Sequence, residues 1–334
     1  NVEILFNHVC TSVSLNGKVS LKHQNRSKES EIFHIQSKYV IGADGVNSCV
    51  RQSLLRHGRF DFSQRYITHA YKELTMLPDS KGNPRMKSNY LHIWPRHDFM
   101  VIALPNLDGS FTCTLFAPFE GSSNSLSALD PIDRHHVTAS ERQNISNYFS
   151  ANFSQLLRLI PNVIDQFIES PISALREVHI NSYHFRDKIC ILGDAAHALV
   201  PFYGQGMNCA FEDALLLSEL LDRHNNDHAK AFSTFSSVRQ PAAEALIELS
   251  NRNYLEMRSH TARFWYIWKK YLDEIMFQFF PDKWMPIYSM VSFTRIPYHE
   301  ALRRAERQDK ILLGVALSIF GIVLVEVSHL VSKL

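Results

Sequence analysis

The sequence predicts an α/β protein with a mixed-sheet domain and a helical C-terminal region, on three observations. Two short apolar strands, Tyr39 to Ile41 and Ile189 to Leu192, each run straight into a glycine turn, Gly42-Ala43-Asp44-Gly45 and Gly193-Asp194. Between them, residues 66–118 read as a sheet with side chains alternating across each strand. From about Gln205 to the end the pattern is helical.

Composition sets the outer limits. The 334 residues, 45% hydrophobic and 20% charged, are enough for two ordinary domains or one large one and for a core that needs no staple. A net charge of +2 argues against nucleic-acid binding across the surface. The five cysteines, Cys10, Cys49, Cys113, Cys190 and Cys209, are odd in number and never spaced C-x-x-C, which fits a reducing compartment and argues against zinc or a disulfide framework. N-x-S matches at Asn25, Asn144 and Asn152 read as chance, because nothing else points to secretion. The chain opens on Asn1, and Val2 to Phe6 already reads as a strand, so it is expected to be a piece that starts inside a fold.

The elements follow in order. Asn16-Gly17 between two β-rich runs signals a hairpin. A helix is expected from near Asn47. Phe99 to Leu104 and Phe111 to Phe116 are strands joined by the turn sequence 105–110; Met100, Ile102 and Leu104 share one face, as do Thr114 and Phe116. Residues 120–135 are a polar loop and 140–168 mainly helix. Ile311 to Val325 is an uncharged apolar run, and at about 1.5 Å per residue the stretch 311–331 just spans a bilayer core of ~30 Å. Arg303, Arg304, Arg307 and Lys310 precede it, which places the main body on the cytosolic side of such an anchor. A buried or interfacial helix is the other reading of this tail.

The chemistry lies in the turns. A dinucleotide needs close backbone approach, free N–H groups at a helix N-terminus, and short acids for its hydroxyls. Gly193-Asp194 offers the first and last of these; Pro201-Phe202-Tyr203-Gly204-Gln205-Gly206-Met207-Asn208, just before a helix, offers backbone N–H groups for a flavin's pyrimidine edge. His197 is not read as a general base, and no Ser/His/Asp signature or H-x-x-x-H pair occurs.

Gly193-Asp194-Ala195-Ala196-His197 followed by P-x-x-G-Q-G-M-N resembles the second flavin motif of the class A flavoprotein hydroxylases, the para-hydroxybenzoate hydroxylase-like group. Gly42-Ala43-Asp44-Gly45 with Ser48 and Arg51 resembles that group's G-A-D-G-x-x-S-x-V-R signature, about 150 residues upstream. The resemblance implies an FAD-binding, Rossmann-like (glutathione reductase-type) fold with a mixed-sheet substrate domain. It implies FAD and NADPH as cofactors, with Asp44, Gly45, Arg51, Gly193, Asp194, Pro201, Gly204, Gln205, Gly206, Met207 and Asn208 at the cofactor. It implies parts of the FAD domain at 1–65 and 181–225, a substrate sheet domain at 66–180, a helical region at 226–310 and an anchor at 311–331. The group's G-x-G-x-x-G is not matched, and its substrate-carboxylate Arg and Tyr lie upstream of Asn1.

Within the group, the branch that hydroxylates kynurenine fits over almost the whole chain. The carrying stretches are Tyr90-Leu91-His92-Ile93-Trp94-Pro95-Arg96, Ile102-Ala103-Leu104-Pro105-Asn106, Phe111-Thr112-Cys113-Thr114-Leu115-Phe116, Asn253-Tyr254-Leu255-Glu256-Met257-Arg258 and Pro286-Ile287-Tyr288-Ser289-Met290-Val291. This resemblance implies hydroxylation of L-kynurenine with O2 through a flavin C4a-hydroperoxide, and residence at the mitochondrial outer membrane. It implies an apolar wall of Leu91, Met100, Ile102, Leu104 and Phe116 with Thr114 beside it, and Pro201 and Phe202 between flavin and substrate. Asn253, Glu256, Met257 and Tyr288 are implied near the amino-acid end; Asn253, Glu256 and Met257 fall on one helix face by spacing. Tyr203 is given no role. Plain sheet core is the alternative for the wall, and a solvated helix face for Asn253 and Glu256. A ubiquinone-precursor hydroxylase and a non-catalytic membrane-tethered module are the competing functions.

Overall fold

The computed structural model describes residues 2–24, 32–260 and 264–331, with the side chains of 259, 260, 264–266, 319, 320 and 322–331 outside the description. Asn25 lies outside it too. Three strands, β1 (His8–Val13), β2 (Lys18–His23) and β3 (Ile32–Gln36), form an antiparallel meander. Its first turn is the expected Asn16-Gly17: Gly17 takes φ +85°, and a Cβ there would sit 2.1 Å from the Ser37 carbonyl oxygen.

β4 (Val40–Gly42) leads to α1 (Cys49–Leu55), two residues later than the expected start. The long β5 (Phe62–Met76) then opens a five-stranded antiparallel sheet with β6 (His92–Pro95), β7 (Met100–Pro105) and β8 (Phe111–Pro118). The short α2 (Leu126–Leu129) interrupts the expected polar loop, because Leu126 and Leu129 are buried against the sheet core. α3 (Ala139–Leu159) starts on a capping box between Thr138 and Glu141; Pro161 separates it from α4 (Val163–Glu169). β9 (Ser173–Ile180) completes the sheet in the order β6-β7-β8-β5-β9.

Alternation divides this sheet's two faces between two tasks. Val101, Ala103, Cys113, Leu115 and Ala117 face α3 and α4 and pack with Phe149, Phe153 and Phe167, each of the three rings adding roughly 1.5–3 kcal/mol by burial. Met100, Ile102 and Phe116 face the other way, toward Leu175, Val200, Phe202, Tyr254 and Met257. The register sets Met100 against Phe116 and Ile102 against Thr114.

β10 (His184–Phe185) and β11 (Ile189–Ile191) join β4 in a third sheet, where β11 runs parallel to β4. That pairing brings the two glycine turns side by side at the strands' C-terminal ends, where open α/β sheets bind ligands. α5 (Asp194–His197), α6 (Gly206–Arg223) and α7 (His228–Leu255) follow, and a π-helical turn, Glu256–His260, ends α7. α8 (Phe264–Phe279), α9 (Ile287–Phe293) and α10 (Tyr298–Val331) complete the helical region. α9 and α10 pack on α7 through Met290, Val291, Tyr298 and Ala301 against Ala242, Leu246 and Leu249.

Ile311, Leu313, Val315 and Leu317 of α10 are exposed. Among the described residues, no helix is long and apolar enough to cross a membrane. The expected anchor at 311–331 lies partly outside the described side chains.

Two charged clusters cross-brace the fold. The fully buried Lys72 donates to Asp130 Oδ1 at 2.5 Å and to the carbonyls of Phe167 and Ser170 at 2.6 and 2.7 Å, tying β5 to the end of α4. Lys72→Met should therefore destabilise the protein by about 3 kcal/mol, read by denaturant unfolding, since it strands the buried end of Asp130 and two carbonyls; an unchanged midpoint would show the cluster to be inert. His179 on β9 lies 2.7 Å from Glu244 Oε2 on α7 and 3.7 Å from Glu177 Oε2. These carboxylates lift its pKa from 6.5 to about 9 against the effect of burial. A raised folded-state pKa gives stability that is complete below about pH 6.5 and is lost as pH climbs through about 9. Thermal melts should show His179→Gln less stable than the parent by about 1 kcal/mol at pH 6, with the gap closing by pH 10.

Candidate functional site

Gly193 begins the site. It takes φ +59° and ψ −146°, a conformation open in practice to glycine alone, and a Cβ would press on Ala210 at 3.2 Å. Its N–H donates to Asp213 Oδ2 at 2.8 Å. The same oxygen accepts from His197 Nε2 at 2.6 Å, and Asp213 Oδ1 accepts from Arg239 Nε at 2.6 Å. Asp213 is wholly buried, and burial alone would raise its pKa. The His197 hydrogen bond, the charges of His197 and Arg239 and the Gly193 N–H outweigh that and hold it below the usual carboxylate range.

His197, Cys209 and Asp213 come close enough to suit a metal by residue type. Arg239 occupies that role: its guanidinium donates to Asp213 Oδ1 and to Cys209 Sγ, the latter at 3.0 Å. His197 is thus a buried strut behind the turn.

The second glycine turn is bound to the first. Arg51, 1% exposed, donates to the Ala195 carbonyl at 2.8 Å and to the Val46 carbonyl at 2.6 Å. Burial lowers its pKa, and the Asp44 charge opposes that. Asp44 turns both oxygens to its own chain: Oδ1 accepts from Ser48, and Oδ2 from the N–H groups of Cys49 and Val50 at 2.7 and 3.1 Å. Asp44 and Arg51, read from sequence as cofactor ligands, therefore shape the loop and lock it to α5, while the loop's Ala43 and Gly45 face the cavity.

That cavity, about 580 Å³, is lined by Ala43, Gly45, Gly193, Asp194, Pro201, Gly204, Gly206 and Met207, among others. A Cβ placed on Gly45, Gly204 or Gly206 would meet nothing within 4 Å, so two backbone segments stand open at three glycines. α6 starts at Gly206 with no side-chain cap on its first N–H groups; the Gln205 side chain accepts from Asn208 Nδ2 at 3.0 Å instead. An uncapped helix N-terminus beside open glycine backbone suits the anionic and acceptor edges of a flavin dinucleotide. Gln205 and Asn208 brace this corner.

Phe202 connects the loop lining the glycine cavity to the sheet. Its ring stacks on Tyr254 at 4.0 Å and meets Phe116 at 4.8 Å. Met100, Ile102, Phe116, Phe202 and Met257 form one apolar group, and Thr114 lies buried beside it. Leu175, Val200 and Tyr254 join them, which sequence reading missed. Tyr254 was in view within Asn253-Tyr254-Leu255-Glu256-Met257-Arg258, but Leu175 and Val200 carried no motif. Leu91 and Leu104, expected in the same wall, are not in this group and stand exposed, at 47% and 45%.

The polar residues divide. Asn253 Nδ2 donates to the Phe202 carbonyl at 2.8 Å and contacts Met257 Sδ at 3.5 Å, so it fixes the Pro201–Tyr203 turn as well as facing the apolar group. Glu256 opens the π-helical turn, where Arg258 donates to Asp98 Oδ1 at 2.8 Å and meets His69 Nε2 at 2.9 Å. Tyr288 is 56% exposed and stacks on Tyr203, which has no role assigned from sequence, with ring centres 6.0 Å apart.

The FAD binding domain family matches residues 2–250. Kynurenine 3-monooxygenase of Sus scrofa is 43% identical over 284 residues, covering 84% of this chain and 57% of that protein. Its counterpart in Flavobacterium johnsoniae is 39% identical, covering 87% and 63%. That of Caenorhabditis elegans is 37% identical, covering 93% and 68%. The chain thus spans roughly three-fifths of the length of such curated relatives. Among solved structures, a tetrameric 2-methyl-3-hydroxypyridine-5-carboxylic acid oxygenase is similar with a TM-score of 0.54 at 21% identity, over 75% of this chain and 62% of that one. Klebsiella pneumoniae HpxO complexed with FAD and uric acid has a TM-score of 0.53 at 17% identity, over 78% and 59%. These two likenesses are of fold.

The Asp213 network predicts a measurable separation. In the full-length protein, Asp213→Asn should weaken FAD binding about tenfold, the loss of one charge-assisted hydrogen bond on the Gly193 turn. Flavin fluorescence titration measures it, and an unchanged affinity in a folded variant would rule the network out as the turn's support.

Proposed function

This chain belongs to the FAD binding domain family and, within it, to the kynurenine 3-monooxygenases, and from that premise we propose that the full-length protein hydroxylates L-kynurenine to 3-hydroxykynurenine with FAD, NADPH and O2. One observation carries the reading. Phe202 sits in the loop whose Pro201 and Gly204 line the glycine cavity, and its ring packs on the sheet's apolar face, so the cavity and the apolar group share one loop.

FAD, when bound, supplies the oxygen-transfer chemistry after reduction by NADPH. The chain's own residues bind, orient and exclude water. Gly193, Gly204 and Gly206 allow close backbone approach, and the N–H groups of Met207 and Asn208 meet the pyrimidine edge. Asp194, exposed at the cavity, accepts from ribityl or ribose hydroxyls. Asp44, Gly45 and Arg51 shape the pyrophosphate side, and Pro201 and Gln205 hold the flavin-side loop. Met100, Ile102, Phe116 and Phe202 grip the aromatic ring, with Thr114 beside it and Leu91 and Leu104 at the mouth. Asn253, Glu256, Met257 and Tyr288 serve the amino-acid end. The substrate's own ring amine activates the carbon ortho to it, so no strong protein base is required, and His197 is engaged elsewhere.

We also propose that the α10 tail attaches the protein to a membrane, the mitochondrial outer membrane on the family's pattern, with the body in the cytosol. The exposed Ile311, Leu313, Val315 and Leu317 behind Arg303, Arg304, Arg307 and Lys310 support this. Carbonate extraction with and without residues 311–334 tests it.

The activity test uses the full-length protein. Kynurenine should accelerate NADPH consumption and yield 3-hydroxykynurenine, with ubiquinone-type rings inactive; peroxide without hydroxylated product would sink the proposal. Phe202→Ala should raise KM for kynurenine roughly tenfold, from lost ring packing.

A further inference from the structure

The root of the α10 tail holds a second cavity, away from the flavin loops. It measures about 900 Å³ and lies between the connector after α8, α9 and α10. Arg303, Arg304 and Arg307 line it from one helix, and Lys283 joins them from the connector. Arginines at i, i+1 and i+4 crowd like charge onto one helical turn, which is unfavourable unless an anion sits among them.

The carboxylates lining the cavity, Asp282 and Glu300, do not balance these four cations. Glu300 accepts from Arg303 at 2.5 Å and from Arg304 at 2.8 Å, using one N–H of each guanidinium. Both arginines remain exposed, at 79% and 53%. Among the described residues, Arg307 and Lys283 have no ion pair.

Apart from Gln308, the other lining is apolar. Trp284 and Met290 are buried in the floor, and the Trp284 indole N–H is engaged by Asp273 at 3.0 Å. Ile311 ends the cavity and begins the exposed apolar stretch Leu313, Val315, Leu317. A cation cluster on one side and an apolar helix leading out of the other match an amphiphile with an anionic head. A free phosphate or a nucleotide would find no use for the second half.

We propose that this cavity binds the phosphate headgroup of an anionic phospholipid. The guanidinium forks take the phosphate oxygens, and the acyl chains run along the Ile311 side of α10. The proposal rests on the reading of the tail as a lipid contact and names the lipid class that contact selects.

Vesicle co-sedimentation of the full-length protein tests it. Phosphatidylcholine vesicles report the tail; vesicles containing phosphatidylserine report the cavity. The parent protein should prefer the anionic vesicles. Arg303→Gln with Arg307→Gln should reduce that preference about fivefold per arginine, with binding to neutral vesicles unchanged. Arg295→Gln with Lys310→Gln removes the same charge outside the cavity and should reduce it distinctly less. Equal losses in the two double variants would mean diffuse attraction and would overturn the site.

If no vesicle binds, the tail reading fails, and the cavity is still read separately. Short-chain phosphatidylserine below its micelle concentration should then give a saturable tryptophan fluorescence change. That change should be absent in Trp284→Phe and in the Arg303/Arg307 double variant. No change, or the same saturation with inorganic phosphate alone, would refute a lipid site.

Discussion

Everything in the cofactor half of this protein depends on one buried carboxylate. Asp213 has no exposure, and a charged group in that position is tolerable only if its partners are complete. They come from three places: the backbone of Gly193 at the end of β11, the imidazole of His197 in α5, and the guanidinium of Arg239 on α7. None can be displaced without exposing the carboxylate's cost. The strand end, α6 and α7 are therefore placed relative to one another by a single side chain. Arg51 extends the constraint to the other glycine turn through the Ala195 carbonyl. The cavity is the space these struts hold open.

The five-stranded sheet follows from a simpler constraint, the two-residue repeat of a strand. Because Val101 and Ala103 must face α3 and α4, Met100 and Ile102 must face away from them. That second face would be an exposed apolar surface if Phe202, Tyr254 and Met257 did not cover it. The cover is built from a loop and a helix end, elements that move more readily than a sheet. Asn253 holds it together by donating to the Phe202 carbonyl.

Much of this was legible in the residues. The glycine turns were, because their requirement is local: a strand end, a backbone shape and a helix start lie within a few positions. The shared face of Met100 and Ile102 was, because alternation is local too, whereas Leu91 and Leu104 stand exposed outside the apolar group. The roles of Asp44 and Arg51 were less so. An acid and a base beside a glycine turn look like ligands, but whether they face a cofactor or their own chain depends on Ser48, Ala195 and the N-terminus of α1. Asp213 carried no signal, since one Asp in a helix becomes remarkable only when His197 and Arg239 meet it in space. Leu175 and Val200 were invisible for the same reason. Tyr203 and Tyr288 pair across residues far apart in the chain, which no spacing rule reaches.

The Phe202 stack has a consequence for how such a protein can change over generations. One aromatic ring sits in the loop that lines the glycine cavity through Pro201 and Gly204 and also packs into the sheet's apolar face, clasped by Tyr254 and Phe116. Replacing this ring disturbs the loop that carries Gly204 as well as the sheet's apolar face. Change is easier to accommodate at Leu91 and Leu104, where side chains stand exposed. Variation among descendants should gather at such positions, while the Phe202 ring is inherited together with the glycine turns.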